Sequence, residues 1–297
     1  FAEHKALDQE IITESGVDFQ IDHQPTLQLF YQHSDLDSFK KNITAFNSDG
    51  FHSEILSLGE IRGLDERIRP TKHGGALING PYFINSMLFT RALAICAKNK
   101  GVKIETAEAF RIETGLSTTV HTNQGHYSSS TIVLAMGPWT GEIFGKFGLQ
   151  KLIKPSKGEI IKFNPPISGP LSVHLHAHCS VVMKRDGMVW VAATAAESDF
   201  DRTPTKNARN ELIEKASLMM PESVNQNPIE QTVCFRPSTP DDLPIVGQVD
   251  INDNIYAVSG GGGWGIMTCL YIGKQASKMI IEKTNEPDLK SISLHRF

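Results

Sequence analysis

The sequence predicts an α/β fold with α+β character, in which two domains are interleaved along a chain of 297 residues. A continuous apolar run over residues 130–136 is typical of a strand in the buried centre of a parallel sheet. Residues 85–100 carry apolar side chains at helical spacing and are followed by Gly101, a common helix terminator. Several other segments alternate apolar and polar residues, as half-buried antiparallel strands do.

The order of the predicted elements indicates that both domains are discontinuous. One domain is expected to comprise residues 84–150 and 228–297, and the other residues 16–83 and 151–227. In the first, a helix, three short strands and an apolar strand lead into Gly137-Pro-Trp-Thr140, which matches the second half of a dinucleotide-binding α/β unit. The other domain is expected to be built on an antiparallel sheet.

Composition narrows the class of protein. Hydrophobic residues make up 40% of the chain and charged residues 21%, as in ordinary globular proteins. The net charge of −4 gives no reason to expect nucleic acid as a partner. The four cysteines form no C-x-x-C pair, which favours reduced thiols inside a cell. We therefore expect a cytoplasmic location, with peripheral attachment at the inner face of the membrane as the alternative.

Apolar spacing and capping residues predict the elements of the first half of the chain. Helices are predicted over residues 1–15, 35–47, 53–65 and 85–100. Strands are predicted over residues 17–21, 26–31, 74–79, 102–105, 109–113, 118–121 and 130–136.

The second half is predicted in the same way. Residues 152–163 are expected to form a strand, a turn at Pro155-Ser-Lys-Gly158 and a second strand. An antiparallel pair is expected over residues 171–183 and 188–194. Further strands are predicted over residues 231–235, 243–246 and 255–258. Helices are predicted over residues 205–219 and 264–283.

The strongest candidate for a binding site lies near the end of the chain. The strand over residues 255–258 runs into four glycines, Gly260 to Gly263, and then into a helix. Such a turn brings bare backbone N–H groups against an anionic or polar ligand. Arg236 stands nearby in sequence and offers a bidentate fork for a carboxylate or phosphate. The alternative is a structural ion pair between Arg236 and Asp241 or Asp242.

Several common site motifs are absent. No G-x-G-x-x-G lies near the N-terminus; residues 260–265 come closest to it, at the C-terminal end of the chain. No G-x-S-x-G, H-E-x-x-H or P-loop motif is present. A strand would place His174, His176 and His178 on one face, but no further ligand stands at a convincing spacing, so we predict no metal. Tyr82 and His52 are candidate pocket residues without a motif.

Four stretches resemble the FAD-dependent D-amino-acid oxidase superfamily. They are 25–30 (PTLQLF), 132–140 (IVLAMGPWT), 155–158 (PSKG) and the C-terminal pair 236–247 and 259–265 (RPSTPDDLPIVG and SGGGGWG). Among its branches the sequence is most similar to bacterial D-amino-acid dehydrogenase small subunits and to glycine oxidases. The resemblance spans nearly the whole chain and is most specific in the C-terminal pair.

The resemblance implies an FAD/NAD(P)-binding Rossmann-like domain interleaved with a substrate-binding domain. It implies that Arg236 binds the substrate carboxylate. It also implies that the following residues contact FAD: Val102, Ala135, Gly137, Trp139, Gly260, Gly261, Gly262, Gly263, Trp264, Gly265 and Ile266. Relatives often carry a histidine at the position of Gly261, so that contact would be lost here.

The implied reaction is oxidation of the C–N bond of an amino acid or amine, with hydride transfer to flavin N5 and hydrolysis of the imine in water. Oxygen, a quinone or a protein carrier would take up the electrons, and the sequence leaves these open. The flavin is expected to be non-covalent. Cys234 stands where a related branch forms a thioether to its flavin, and this attachment is the minor alternative.

One departure from the family pattern is large. Members open with a strand, G-x-G-x-x-G and a helix that hold the pyrophosphate, and this chain lacks that first βαβ unit. The chain also begins without Met, at what reads as mid-helix. We therefore expect an N-terminal FAD-binding segment or subunit to complete the fold. A non-catalytic subunit or a degenerate relative that binds a partner is the alternative function.

Overall fold

A computed structural model describes residues 2–48, 50–80, 82–115, 117–145, 152–166, 168–250, 254–283 and 290–297. Seven helices lie in these ranges: α1 (Ala2–Ser15), α2 (His33–Ser48), α3 (Leu58–Leu64), α4 (Ser86–Asn99), α5 (Thr140–Phe144), α6 (Lys206–Met219) and α7 (Gly265–Ile281). None of the helices in the described ranges has the length and apolarity needed to cross a bilayer.

The strands of the described residues form three sheets. The first seven strands are β1 (Thr26–Leu29), β2 (His52–Leu56), β3 (Gly75–Asn79), β4 (Ala109–Glu113), β5 (Thr118–Thr122), β6 (Gly125–Ser129) and β7 (Ile132–Leu134). The remaining eight are β8 (Lys154–Phe163), β9 (His174–His176), β10 (Ser180–Met183), β11 (Val189–Ala192), β12 (Ala196–Glu197), β13 (Glu230–Ser238), β14 (Ile245–Asp250) and β15 (Ile255–Ser259).

The largest sheet has the order β12-β8-β11-β10-β9-β1-β3-β2, with β13 paired to β8. Its pairs are antiparallel except for β1 with β9. One face packs on α3 and α6, where Ile61 and Leu212 meet inward residues such as Ile161 in the main core. At the β1–β3 end, α2 covers the opposite face, and Phe39 packs there against Ala76. The arginine strand β13 pairs along the other edge of β8, opposite the edge that pairs with β11 and β12.

The remaining strands form two smaller sheets. Strands β4, β5 and β6 form an antiparallel sheet, while β14, β15 and β7 form a sheet in which β15 and β7 run parallel. Helices α1, α4 and α7 pack together beside them, around Phe19, Phe89 and Ala92. This part of the fold therefore has the parallel strands and packed helices that the sequence predicts. The predicted mixed α/β class is confirmed.

Several predicted elements are wrong in detail. Residues 17–21 and 102–105 are not strands, and residues 53–65 are not one helix, because β2 occupies the start of that segment and α3 only its later part. Residues 155–158 do not turn but lie within the ten-residue strand β8. Strand β6 was not predicted; it pairs with β5 across a turn at residues 123–124.

Candidate active site

Arg236 lies flat on the neighbouring strand. Strands β13 and β8 pair over nine positions, with Cys234 opposite Gly158 and Arg236 opposite Ser156. A Cβ atom at Gly158 would stand 2.6 Å from Nη1 and 2.7 Å from Cζ of Arg236. Only glycine leaves this space, because any side chain at position 158 would collide with the guanidinium. Gly158 is therefore needed to leave room for the guanidinium of Arg236, and it does not form a turn.

The arginine side chain is oriented by a backbone carbonyl. Its Nη1 donates to the carbonyl oxygen of Thr194 at 3.0 Å. Thr194 is fixed in turn by Glu159, whose N–H donates to the Thr194 hydroxyl at 3.0 Å and whose carbonyl accepts from the Thr194 N–H at 3.2 Å. The buried Glu159 carboxylate accepts from the Thr205 hydroxyl and from the Gln231 amide. This network ties β8, α6 and β13 together behind the arginine.

No carboxylate pairs with Arg236 within the residues that the structure describes. Asp241, the expected structural partner, instead binds Arg296, with Nε and Nη2 at 2.7 and 2.9 Å from its two carboxylate oxygens. That pair lowers the pKa of Asp241 to about 2, mainly through the hydrogen bond from Arg296. The guanidinium of Arg236 therefore keeps donors available for a ligand carboxylate.

Two glycine turns stand side by side at the ends of the parallel strands β7 and β15. The hydroxyl of Ser259 donates to the Gly137 carbonyl at 2.8 Å and joins the turns. Gly137 and Gly260 have φ values of +55° and +76°, which side-chain-bearing residues rarely adopt. A Cβ at Gly260 would also stand 2.6 Å from Cγ2 of Thr239. Glycine is therefore required at both turns by backbone conformation, and at Gly260 by space as well.

The outer sides of these turns are open. A Cβ at Gly137, Gly262, Gly263 or Gly265 would meet no atom within 4 Å. Helix α7 begins at Gly265, and no side chain caps its first N–H groups. Open space beside these glycines and a helix start without a side-chain cap fit a flat cofactor with polar carbonyl edges. The residues present are thus compatible with a bound flavin.

Aromatic side chains join the first turn to the arginine strand. The rings of Trp139 and Phe200 stack with centroids 5.3 Å apart, and Phe200 meets the edge of Phe235 at 5.4 Å. Phe235 directly precedes Arg236, and β13 lies against both glycine turns. The structure therefore brings the strand that carries Arg236 against two turns that are far from it in sequence.

The other predicted site residues have varied surroundings. Ala135 is exposed between β7 and its turn, and Ile266 is exposed in the first turn of α7. Val102 is exposed beyond the end of α4. Cys234 is an exposed free thiol. Gly261 lies within its turn, where a Cβ would stand 2.9 Å from Cα of Gly265.

The histidine segment differs from its prediction. Strand β9 ends at His176, so His178 lies beyond the strand and packs its ring on Tyr31 at 4.4 Å. His174 is fully buried, and burial lowers the pKa of its imidazole. The premise that a strand aligns all three on one face was therefore wrong.

Sequence reasoning missed the residues that support the site. Gly158 was assigned to a turn, and Thr194 was given no role, because each acts through a contact with a distant strand. Sequence alone carries no signal for Glu159, which is one of four charged residues in β8. His4 and Asp8 lie within the predicted helix over residues 1–15 and were given no role, yet both are buried.

Paired glycine turns at the ends of parallel strands, with an arginine strand beside them, define a protein of the class that holds a dinucleotide cofactor next to a substrate. The chain belongs to the FAD dependent oxidoreductase family (DAO), whose family model matches residues 2–279. The predicted resemblance is thereby confirmed.

Individual relatives agree with this assignment. Glycine oxidase of Geobacillus kaustophilus (strain HTA426) is 24% identical over 297 residues, which cover 98% of this chain and 78% of the relative. D-amino acid dehydrogenase of Methylobacterium nodulans is 28% identical over 273 residues, or 88% and 64% of the two chains. The crystal structure of the Geobacillus glycine oxidase superposes with a TM-score of 0.89 at 23% identity, covering 100% of this chain and 81% of that one.

Proposed function

We propose that this FAD-dependent oxidoreductase oxidises the C–N bond of a small amino acid or of a related amine that carries a carboxylate. The observation that carries the proposal is the guanidinium of Arg236. It is oriented by the Thr194 carbonyl, has no carboxylate partner among the described residues, and lies on a strand that contacts both glycine turns. A carboxylate bound there would hold the rest of the substrate beside the turns.

Each element of the site has a role in this proposal. Arg236 binds the substrate carboxylate through its fork, and Gly158 keeps that fork flat on the sheet. The start of α7, which has no side-chain cap, would offer N–H groups to the polar edge of the flavin. FAD, when bound, supplies the hydride acceptor.

The proposal includes two further components. A segment or subunit N-terminal to this sequence would hold the phosphate end of FAD, since no G-x-G-x-x-G precedes residue 260. Oxygen, a quinone or a protein carrier would reoxidise the flavin. A mass spectrum of the native preparation would reveal bound FAD and any accompanying fragment.

The function is tested by anaerobic reduction of the visible flavin absorption with a panel of amino acids and amines. We expect bleaching by carboxylate-bearing amines and a weaker response from their decarboxylated analogues. Arg236→Lys should raise the substrate KM at least about tenfold, through loss of a bidentate charged pair, with little change in FAD affinity. Arg296→Lys is the matched control, because Arg296 binds Asp241. Equal losses of substrate and FAD binding, or a colourless protein that no amine affects, would contradict the proposal.

A further inference from the structure

A buried histidine of α1 contacts the first turn of α7. The Nδ1 atom of His4 lies 3.0 Å from Oδ1 of Asp8, and its Nε2 atom lies 2.8 Å from the carbonyl oxygen of Ile266. The side chains of His4 and Asp8 are only 4% and 5% exposed. The other carboxylate oxygen of Asp8 accepts from the Tyr82 hydroxyl at 2.5 Å. Ile266 is one residue beyond the start of the helix that follows the second glycine turn.

Both ring nitrogens of His4 face groups that only accept hydrogen bonds. The Ile266 carbonyl has no proton to give, and an Asp8 carboxylate that already accepts from Tyr82 has none either. A neutral imidazole would aim one lone pair at an acceptor in a buried position, which is costly. The geometry is satisfied when both nitrogens carry protons, that is, when His4 is an imidazolium paired with the Asp8 carboxylate.

We propose that His4 is a positioning residue: as a buried imidazolium it ties α1 to the first turn of α7 and so fixes the glycine turn over residues 260–264. The consequence for flavin binding rests on the function proposed above. The contact between His4 and the first turn of α7 is a property of the polypeptide alone, so it is tested separately.

The glycine turn has few other supports. Helix α7 lacks a side-chain N-cap, and Gly260 and Gly262 have positive φ values that leave no side chain to anchor the turn. Ile266 itself is exposed, so its side chain is not buried in the core. The Ile266 carbonyl is thus one point at which the start of α7 is held, and His4 contacts it from another helix.

The surrounding charges favour the imidazolium. Burial alone would lower the pKa of His4, but hydrogen bonds to Asp8, Cys269 and the Ile266 carbonyl raise it to about 10. The groups that face His4 are Asp8 on its own helix, Tyr82 before α4, and Cys269 on α7. One position away, Glu3 pairs with Lys274 of α7 at 2.8 Å. Because the folded-state pKa of His4 is raised above the ordinary value of 6.5, this stabilisation is complete below pH 6.5 and is lost as the pH rises through about 10.

The protonation state is tested by ¹⁵N NMR of the histidine side chains in the wild-type protein at pH 8. We expect one of the eleven histidines to keep both nitrogens protonated, and its signal to disappear in His4→Gln. If no histidine is doubly protonated at pH 8, the proposal is wrong, and this conclusion does not require any variant to fold.

The positioning role is tested by hydrogen exchange of the amides over residues 260–270, without substrate. His4→Gln should speed their exchange by at least about tenfold, as expected for loss of a hydrogen bond to a charged group. The matched control is His33→Gln, because His33 makes the same i,i+4 pair with Asp37 but the two side chains are 71% and 49% exposed. In the wild type, protection corrected for intrinsic rates should fall between pH 8 and about 10.5, and in His4→Gln it should be flat across that range.

The two proposals fail in different ways. Exchange rates in His4→Gln that equal those of the wild type would overturn the positioning role, whatever substrates the protein uses. If none of the amines reduces the flavin, the proposed function is overturned and the exchange result stands. Arg236→Lys should leave the amide exchange of residues 260–270 unchanged. This result would separate the binding of the substrate carboxylate from the support of the glycine turn.

Discussion

Replacing Gly158 by alanine should displace Arg236 without unfolding the protein. The new Cβ would stand 2.6–2.7 Å from three guanidinium atoms, whereas ordinary contacts begin near 3.4 Å, so the group must move by about 0.8 Å. The guanidinium is the end of a flexible side chain, so it can move at little cost to the fold. Alanine is also favoured over glycine within a strand by about 0.5–1 kcal/mol.

The expected loss is therefore in substrate binding. If the moved guanidinium can no longer make both charged hydrogen bonds, about 1.5–3 kcal/mol is lost, which corresponds to a KM increase of about 10- to 150-fold. The assay is steady-state kinetics with a carboxylate-bearing amine, together with thermal melting and flavin absorbance. Gly59→Ala is the control, since a Cβ at that helical position meets nothing within 4 Å. An unchanged KM in Gly158→Ala, at wild-type stability, would refute the reasoning.

Two further substitutions probe the supports of the site. Gly260→Ala combines a φ of +76° with a Cβ 2.6 Å from Thr239, so it should destabilise the fold by about 1–3 kcal/mol and weaken flavin retention; a melting temperature equal to that of the wild type would contradict this. Asp241→Asn removes the partner of Arg296. Because the folded-state pKa of Asp241 is lowered to about 2, its stabilising effect is present above the ordinary pKa of 3.8 and lost as the pH falls through about 2. Urea titrations should therefore give different stabilities for variant and wild type at pH 6 and similar ones near pH 2.

Local sequence signals predicted the elements that fold by local rules. Helix α6 begins after its N-cap Thr205 and α4 after Asn85, whose side chains accept from Ala208 and Leu88 N–H groups. Strands β7 and β15 appear where continuous apolar runs lie. The position of Arg236 beside the glycine turns was anticipated through family resemblance, since nothing local in the sequence joins them.

The errors lie where a distant contact decides the local structure. Residues 155–158 contain proline and glycine and so indicate a turn, but pairing with β13 over nine positions keeps them extended. Strand β2 was taken for helix because only its pairing with β3 distinguishes the two. His4 gave no signal, since the acceptor that explains its burial stands 262 residues away.

The distribution of tryptophan has a practical consequence. The chain has three tryptophans, and two of them, Trp139 and Trp264, stand in the two glycine turns with exposed rings. The third, Trp190, is on the large sheet, where its indole N–H donates to Asp186. The intrinsic fluorescence of the protein should therefore come mainly from the two tryptophans in the glycine turns. Cofactor loading could be followed by quenching of this intrinsic fluorescence, without any label, and Trp139→Phe and Trp264→Phe would resolve which turn is occupied first.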